Sequence, residues 1–315
     1  MDESRQKNLA VIGLVIVSLG WAGTFVVIKN TLDLVPPFAL CMLRFIPAAA
    51  LLALIYRRKL VHATFDDIKN GVIIGFFLFI CFVADVLAFK FTLASKLAFI
   101  SGLYVVFVPF MAWYFNKIKP DKFSAIGVTM AIVGLALLTI RRGIPVSTGD
   151  MLALLTALLL GAHIIAIEHF GKGRDPILMT IIQFIVTAVL FVPMTLIFES
   201  FRFSMLENSW PQLSFLSLFA TLIGLLVQNV AQKYISSTST AMILLLSTIF
   251  GSAASIYFLN EYLSAIMLVG GVISILAVVI QITKLNFLRR KPAGQTVSTG
   301  QTGTVNQTDH ASPIK

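Results

Sequence analysis

Arg44 and Asp85 are charged residues of opposite sign set well inside two of the long apolar runs of this chain. Their types allow an ion pair, a clamp for opposite charges on a solute, or proton transfer. A charge at membrane depth costs at least about 2.5–3.5 kcal/mol on insertion scales, so each needs a partner or a watery cavity. Arg44 lies about seven residues, and Asp85 about five or six, from the same end of their respective runs, which at about 1.5 Å per residue puts both roughly 8–10 Å below one surface. At that shared depth they are placed to meet as an ion pair that fixes helix packing; the other reading is a substrate-facing charge or outer gate.

His163 falls near mid-depth of its run, with Glu168 and His169 nearer the end. Separations of i,i+5 and i,i+6 do not bring ligands onto one helical face, so no metal site is expected. His163 reads as a substrate contact or proton-linked switch, or as a histidine hydrogen-bonded within a bundle. A polar stripe at near-helical spacing joins Ser214, Ser217, Thr221, Gln228 and Gln232, with Asn229 beside it. Lipid satisfies none of those amides, so the stripe must face protein or water. Ser247, Gly251 and Ser255 form a small-residue face, while Trp21 with Thr24, and Ser101 with Tyr104, pair an aromatic surface with a hydroxyl. Together with Gln183, these residues are the candidate lining of a solute pathway.

Catalytic arrangements are poorly served. Asp85 is the one acid well inside a run, so a two-carboxylate site is not formed, and neither His-Glu-x-x-His nor a Gly-rich phosphate loop occurs. The chain is expected to hydrolyse no ATP and to need no cofactor.

The elements that carry these residues follow from composition. At 58% hydrophobic and 12% charged residues over 315 positions, the chain has too little polar surface for a soluble protein. A span needs about 20 apolar residues, and such runs occur at 9–28, 37–56, 71–90, 97–116, 123–140, 149–170, 176–198, 212–232, 238–258 and 264–283. All must be helical, because backbone groups in lipid find partners only within their own segment. The fold class is therefore an all-α polytopic membrane protein with ten transmembrane helices. Cys41 and Cys81 sit within the runs and read as packing residues. The net charge of +10 collects mainly in alternate loops, among them Arg57, Arg58, Lys59, Lys117, Lys119, Lys172 and Arg174. That bias places both termini in the cytoplasm, in a cell (inner) membrane, and calls for no nucleic acid.

The runs also repeat. A shift of 143 positions carries Ala88, Lys90, Ala98, Ile100 and Phe107 onto Ala231, Lys233, Ala241, Ile243 and Phe250, and Tyr114, Phe115, Gly127 and Ile132 onto Tyr257, Phe258, Gly270 and Ile275. Upstream, a shift of 139 carries Pro37, Phe45, Ile46 and Ala49 onto Pro176, Phe184, Ile185 and Ala188, and aligns Gln183 with Arg44. Five spans per repeat is odd, so the second copy enters from the opposite side and the repeats are inverted. The organisation read from this is a cytoplasmic N-terminus at 1–8, a five-helix repeat at 9–140, a linker at 141–148, a second repeat at 149–283 and a disordered tail at 284–315.

This layout resembles the drug/metabolite transporter superfamily and its EamA-type permeases. Gly20-Trp21-Ala22-Gly23-Thr24-Phe25 followed by Lys29 looks like the family's first-helix pattern, Leu43-Arg44-Phe45 like its second-helix arginine, Ala88 to Ser95 like its third junction, Pro109 like its fourth-helix proline, and Asn260-Glu261 like the acid after its ninth helix. The resemblance implies a secondary transporter that exports small organic metabolites, amino acids or amphipathic compounds, by alternating access. An intramembrane enzyme and a non-transporting membrane receptor are the alternatives. The expected partners are a small-molecule substrate and the lipid bilayer, and a homodimer is compatible with the sequence.

Overall fold

A computed structural model describes residues 3–117, 119, 122–139 and 147–260, together with isolated positions between 265 and 280. Among the described residues every regular element is a helix. In chain order these are α1 (Glu3–Thr31), α2 (Pro37–Ile55), the short α3 (Arg57–Val61), α4 (Phe65–Phe91), α5 (Ala94–Ser101), α6 (Tyr104–Asn116), α7 (Lys122–Thr139), α8 (Thr148–Phe170), α9 (Pro176–Phe198) and α10 (Ser204–Ser214), then a π-helical stretch (Phe215–Ile223), α11 (Gly224–Gln232) and α12 (Ser237–Phe258). Eight spans among them are long and apolar enough to cross a membrane, with α5–α6 and α10–α11 each counting as one. The apolar part of α7 is shorter. The predicted tenth span, Glu261, the tail and most of the linker lie outside the described residues, apart from the isolated positions noted.

The starts of these helices are written locally. Thr64 caps α4 and Ser147 caps α8, each in a reciprocal box with the acid three residues on, Asp67 and Asp150. Asp175 accepts from the backbone N–H of Ile177 and Leu178 ahead of Pro176, and Pro37 likewise occupies the first turn of α2. Lys117 and Asn260, 143 positions apart, end α6 and follow α12 with positive φ, 57° and 55°.

Two predicted helices are not regular. The chain turns at Gly102–Leu103, so Ser101 and Tyr104 lie on separate helices and not on one continuous face. The stripe on the eighth span passes through the π-helical stretch, whose longer hydrogen-bonded repeat changes which side chains share a face. Ser214 is accordingly exposed, whereas Ser217, Thr221, Gln228, Asn229 and Gln232 are buried.

Helices pack chiefly between the two halves of the chain. α4 lies on α8 and α9, α1 on α12 and α11, α2 on α9, and α8 on α5 and α6. Phe45, Phe79, Phe82, Phe184 and Phe191 interlock where α2, α4 and α9 meet. The two ends of the bundle are distinguishable by their ion pairs. At one, Lys59 pairs with Asp175, and Arg174 bridges Asp66 and Asp67 at the start of α4. At the other, where α4 ends, Lys96 pairs with Asp150 at 2.5 Å.

Candidate functional site

A cavity of about 120 Å³ lies among α1, α2, α4, α5, α6, α8, α11 and α12. It is lined by nine of the residues singled out from sequence: Trp21, Thr24, Arg44, Asp85, Ser101, Tyr104, His163, Gln228 and Ser247. The sequence gives no reason for Asn229 and Gln232 to separate from Gln228, yet they line a second cavity, of about 610 Å³. Gln183 lines neither and stands behind His163.

The expected Arg44–Asp85 ion pair is not formed. Both residues line the smaller cavity, but the Arg44 Nε donates to Thr221 Oγ1 and its guanidinium lies over Phe82, 4.7 Å from the ring centroid. Depth alone does not choose a partner, and the arginine has a second solution at that depth: a cation–π contact together with a hydroxyl of the π-helical stretch. Asp85 therefore presents its carboxylate to the cavity, and the wall carries two opposite charges that are not joined.

The remaining polar groups fall into two kinds. Thr24, Ser101 and Ser247 bond the carbonyls of Trp21, Ala98 and Leu244 in their own helices, which satisfies them locally. His163 and Tyr104 are fully buried and incompletely used: His163 Nε2 lies 3.0 Å from Gln183 Oε1, while His163 Nδ1 and the Tyr104 hydroxyl have no partner. Trp21 is fixed by donation from Nε1 to the Ala220 carbonyl at 2.7 Å, and Gly224 makes room for it, since a Cβ there would overlap the indole.

Sequence reasoning missed the aromatic and apolar part of the wall. Cys81, Phe82 and Phe89 lie one turn either side of Asp85 on α4, and Leu160 lies one turn before His163 on α8, with Thr156 a further turn back. Extending each polar candidate by i±3 and i±4, and from His163 by i−7 as well, would have found them. Cys81, expected only to pack, is buried and also forms part of this wall.

The larger cavity lies at the Arg174 end, bounded by Glu168, His169, Lys172, Arg174, Asn229, Gln232 and Lys233. Between the cavities, Gln228 Nε2 donates to Gln232 Oε1 at 3.2 Å and Gln232 Nε2 to the Ile164 carbonyl at 2.8 Å. This chain of amides ties α11 to α8. At the opposite end Lys29 donates to the carbonyls of Phe89 and Thr92, and Asp150 accepts from Lys96, Thr92 and the Ser147 backbone. Glu199 accepts from the backbone N–H groups of Phe38 and Ala39; burial pushes its carboxyl above the usual range against the pull of those bonds and of Lys90. Among the described residues no group of three or more His, Cys, Asp or Glu converges as a metal site would require.

The arrangement is a small charged and aromatic chamber separated by amides from a wider one, which suits holding a solute rather than transforming it. Comparison with known proteins agrees. An uncharacterized transporter of Archaeoglobus fulgidus is 31% identical over 278 residues, covering 88% of this chain and 87% of its own. A second uncharacterized transporter of the same organism is 24% identical over 281 residues, covering 86% and 96%. A solved crystal structure shares the fold, with a TM-score of 0.71 at 13% identity over 90% of this chain and 98% of that one. The EamA-like transporter family matches residues 8–140 and 147–283. The chain is a multi-pass membrane protein of the drug/metabolite transporter superfamily and belongs to its EamA-like transporter family.

Proposed function

We propose that this transporter exports small organic solutes bearing charge and an apolar body, amino acids or amphipathic compounds, by alternating access around the smaller cavity. The observation that carries the reading is the separation of Arg44 and Asp85 within one aromatic-walled chamber. Two unjoined charges of opposite sign in a low-dielectric site are stabilised by a solute that carries the complementary groups. Trp21, Thr24, Ser101, Tyr104, His163, Gln228 and Ser247 complete the binding wall, with Gln183 supporting it from behind, and Asn229 and Gln232 line the wider cavity on the far side of the amide barrier.

Inverted five-helix repeats, ten spans in all, are supported by several relationships. Lys90 ends α4 away from its Asp67–Arg174 contact, whereas its counterpart Lys233 lines the cavity that contains Arg174, so equivalent helix ends lie at opposite ends of the bundle. Packing exchanges in the same way: the first span meets the ninth as the sixth meets the fourth, and the third meets the sixth and seventh as the eighth meets the first and second. The two matched family segments favour the same division. Positive-inside bias favours a cytoplasmic location for the Arg174 end and for the N-terminus, in the cell membrane. The structure then corresponds to a state closed at the Lys96–Asp150 end and wider toward the cytoplasm.

The test is transport by purified protein in liposomes without ATP, screened against amino acids, nucleosides, sugars and cationic dyes, with and without a pH gradient. Counterflow of an amino acid or amphipathic cation is expected, and its loss in Asp85→Asn. Accumulation of sugars or nucleosides alone would overturn the assignment.

A further inference from the structure

Three polar atoms around the smaller cavity remain without a partner although their side chains are fully buried: His163 Nδ1, the Tyr104 hydroxyl and Gln183 Nε2. Burying such a group without a hydrogen bond is costly, so an arrangement that keeps several of them calls for a ligand or for ordered water. The Gln183 backbone is held in place. It abuts Gly75 of α4, where a Cβ would lie 2.9 Å from the Gln183 Cα, and its carbonyl accepts from Thr187 Oγ1 at 2.7 Å. In this orientation the side-chain amide oxygen faces His163 Nε2 and can only accept, which places the proton on Nε2. Nδ1 is then a bare acceptor on the ring that lines the cavity.

We infer that Gln183 is a positioning residue that holds His163 in its Nε2–H tautomer, and that Nδ1, with the Tyr104 hydroxyl in the same wall, binds an N–H or O–H donor of the solute. The inference rests on the smaller cavity being the substrate site. It assigns selectivity: solutes with a donor on their polar end are held, and counterparts of the same charge and shape without one are not.

Two measurements test it. In protein labelled with ¹⁵N-histidine and held in bilayers, with His163 identified by its loss in His163→Asn, Nε2 should be protonated and Nδ1 bare. Gln183→Glu keeps an acceptor and should preserve that tautomer, whereas Gln183→Leu should mix the two. A protonated Nδ1 in the wild-type protein, or a tautomer indifferent to Gln183→Leu, overturns the assignment. The second measurement uses phenethylamine and its N,N,N-trimethyl derivative, which share ring and charge but differ in N–H donors. Phenethylamine should shift the Nδ1 resonance and bind about five- to tenfold more tightly, the ordinary worth of one hydrogen bond. Tyr104→Phe, which removes only an unpartnered hydroxyl, should fold normally and weaken that preference without changing the tautomer. Equal binding of the two probes, or an Nδ1 resonance that responds to neither, counts against the inference. Trp21→Ala distinguishes the two levels: if it leaves binding of both probes intact, the cavity reading fails, and if it weakens both while no preference exists, only the inference fails.

Discussion

Phe45 of α2 and Phe184 of α9, which occupy equivalent positions 139 residues apart, touch each other edge-on with ring centroids 5.9 Å apart, and neither is exposed. On the inverted-repeat reading proposed above, a residue that contacts its own counterpart sits beside the axis relating the two copies, and this pair would mark the centre of their interface. Lipid is as apolar as phenylalanine, so burial here supplies packing rather than a hydrophobic gain. Truncating either ring to alanine should therefore cost at the low end of the about 3–5 kcal/mol seen in soluble cores. Because the rings touch, the double variant should cost less than the sum, by about 0.5–1.5 kcal/mol. Melting in detergent measures it, and strict additivity would separate the rings.

The amide chain from Gln228 through Gln232 to the Ile164 carbonyl is expected to act as a barrier between the two cavities. Cys81 reports on it, since it is a free cysteine in the wall of the smaller cavity and Cys41 can be replaced by serine. In that background, Gln232→Leu should raise the rate at which a small water-soluble thiol reagent labels Cys81 several-fold from the Arg174 side. Unchanged labelling would show that the barrier lies elsewhere.

Much of this site could be read from sequence because membrane burial makes polar residues conspicuous. Trp21, Asp85, His163 and Gln228 stand out against lipid-like surroundings, and helical spacing places each in depth. What could not be read is which of several partners each would choose. Arg44 took Thr221 and Phe82 rather than Asp85, and a depth along each helix does not rank a hydroxyl and an aromatic face on neighbouring helices against a carboxylate. Gln228 and Gln232 share a face yet open on different cavities, since one helical turn is enough to cross the wall between them. The ion pairs at the ends, such as Lys59 with Asp175, join loops far apart in sequence and leave no local pattern.

Gly224 should tolerate no side chain. A Cβ there would overlap the Trp21 indole, whose N–H is tied to the Ala220 carbonyl. Gly224→Ala is expected to cost about 1–3 kcal/mol through overpacking and to reduce transport by displacing the ring. Adding Trp21→Phe, a smaller ring with no N–H to place, should recover most of the stability but not the transport. Failure of that double variant to regain stability would locate the strain elsewhere.

At the Arg174 end, Asp175 gives a signed pH dependence. Burial raises its carboxyl, but the Lys59 hydrogen bond and charge and the N–H groups of Ile177 and Leu178 outweigh it, leaving the group below its usual value. A depressed acid contributes stability above its unfolded value, near about 3.9, and loses it as pH falls through the lower folded value. Wild type should thus melt above Asp175→Asn at neutral pH, by a small margin because the pair is partly exposed, and the two should converge below about pH 4. A gap that widened on acidification would reverse the sign.

Arg44 and Asp85 provide the last and most direct test, because two readings of them predict opposite behaviour. If they formed a buried ion pair, removing either partner would strand the other at a cost of about 3–5 kcal/mol, and exchanging the charges would restore the contact. In the observed geometry Arg44 is already satisfied by Thr221 and Phe82, so Asp85→Asn removes a charge that no ion pair or hydrogen bond to Arg44 holds. That variant should melt at or above the wild-type temperature while transport falls at least about tenfold, the equivalent of losing about 1.4 kcal/mol of solute binding. The exchange Arg44→Asp with Asp85→Arg should recover neither property, because an aspartate at 44 cannot donate to Thr221 or stack on Phe82. A double-mutant cycle on stability should find a coupling well below the about 3–5 kcal/mol that breaking a joined buried pair costs. Full recovery of melting in the exchanged variant would mean that the two charges pair directly, and the unjoined charges on which the substrate assignment depends would be lost with it.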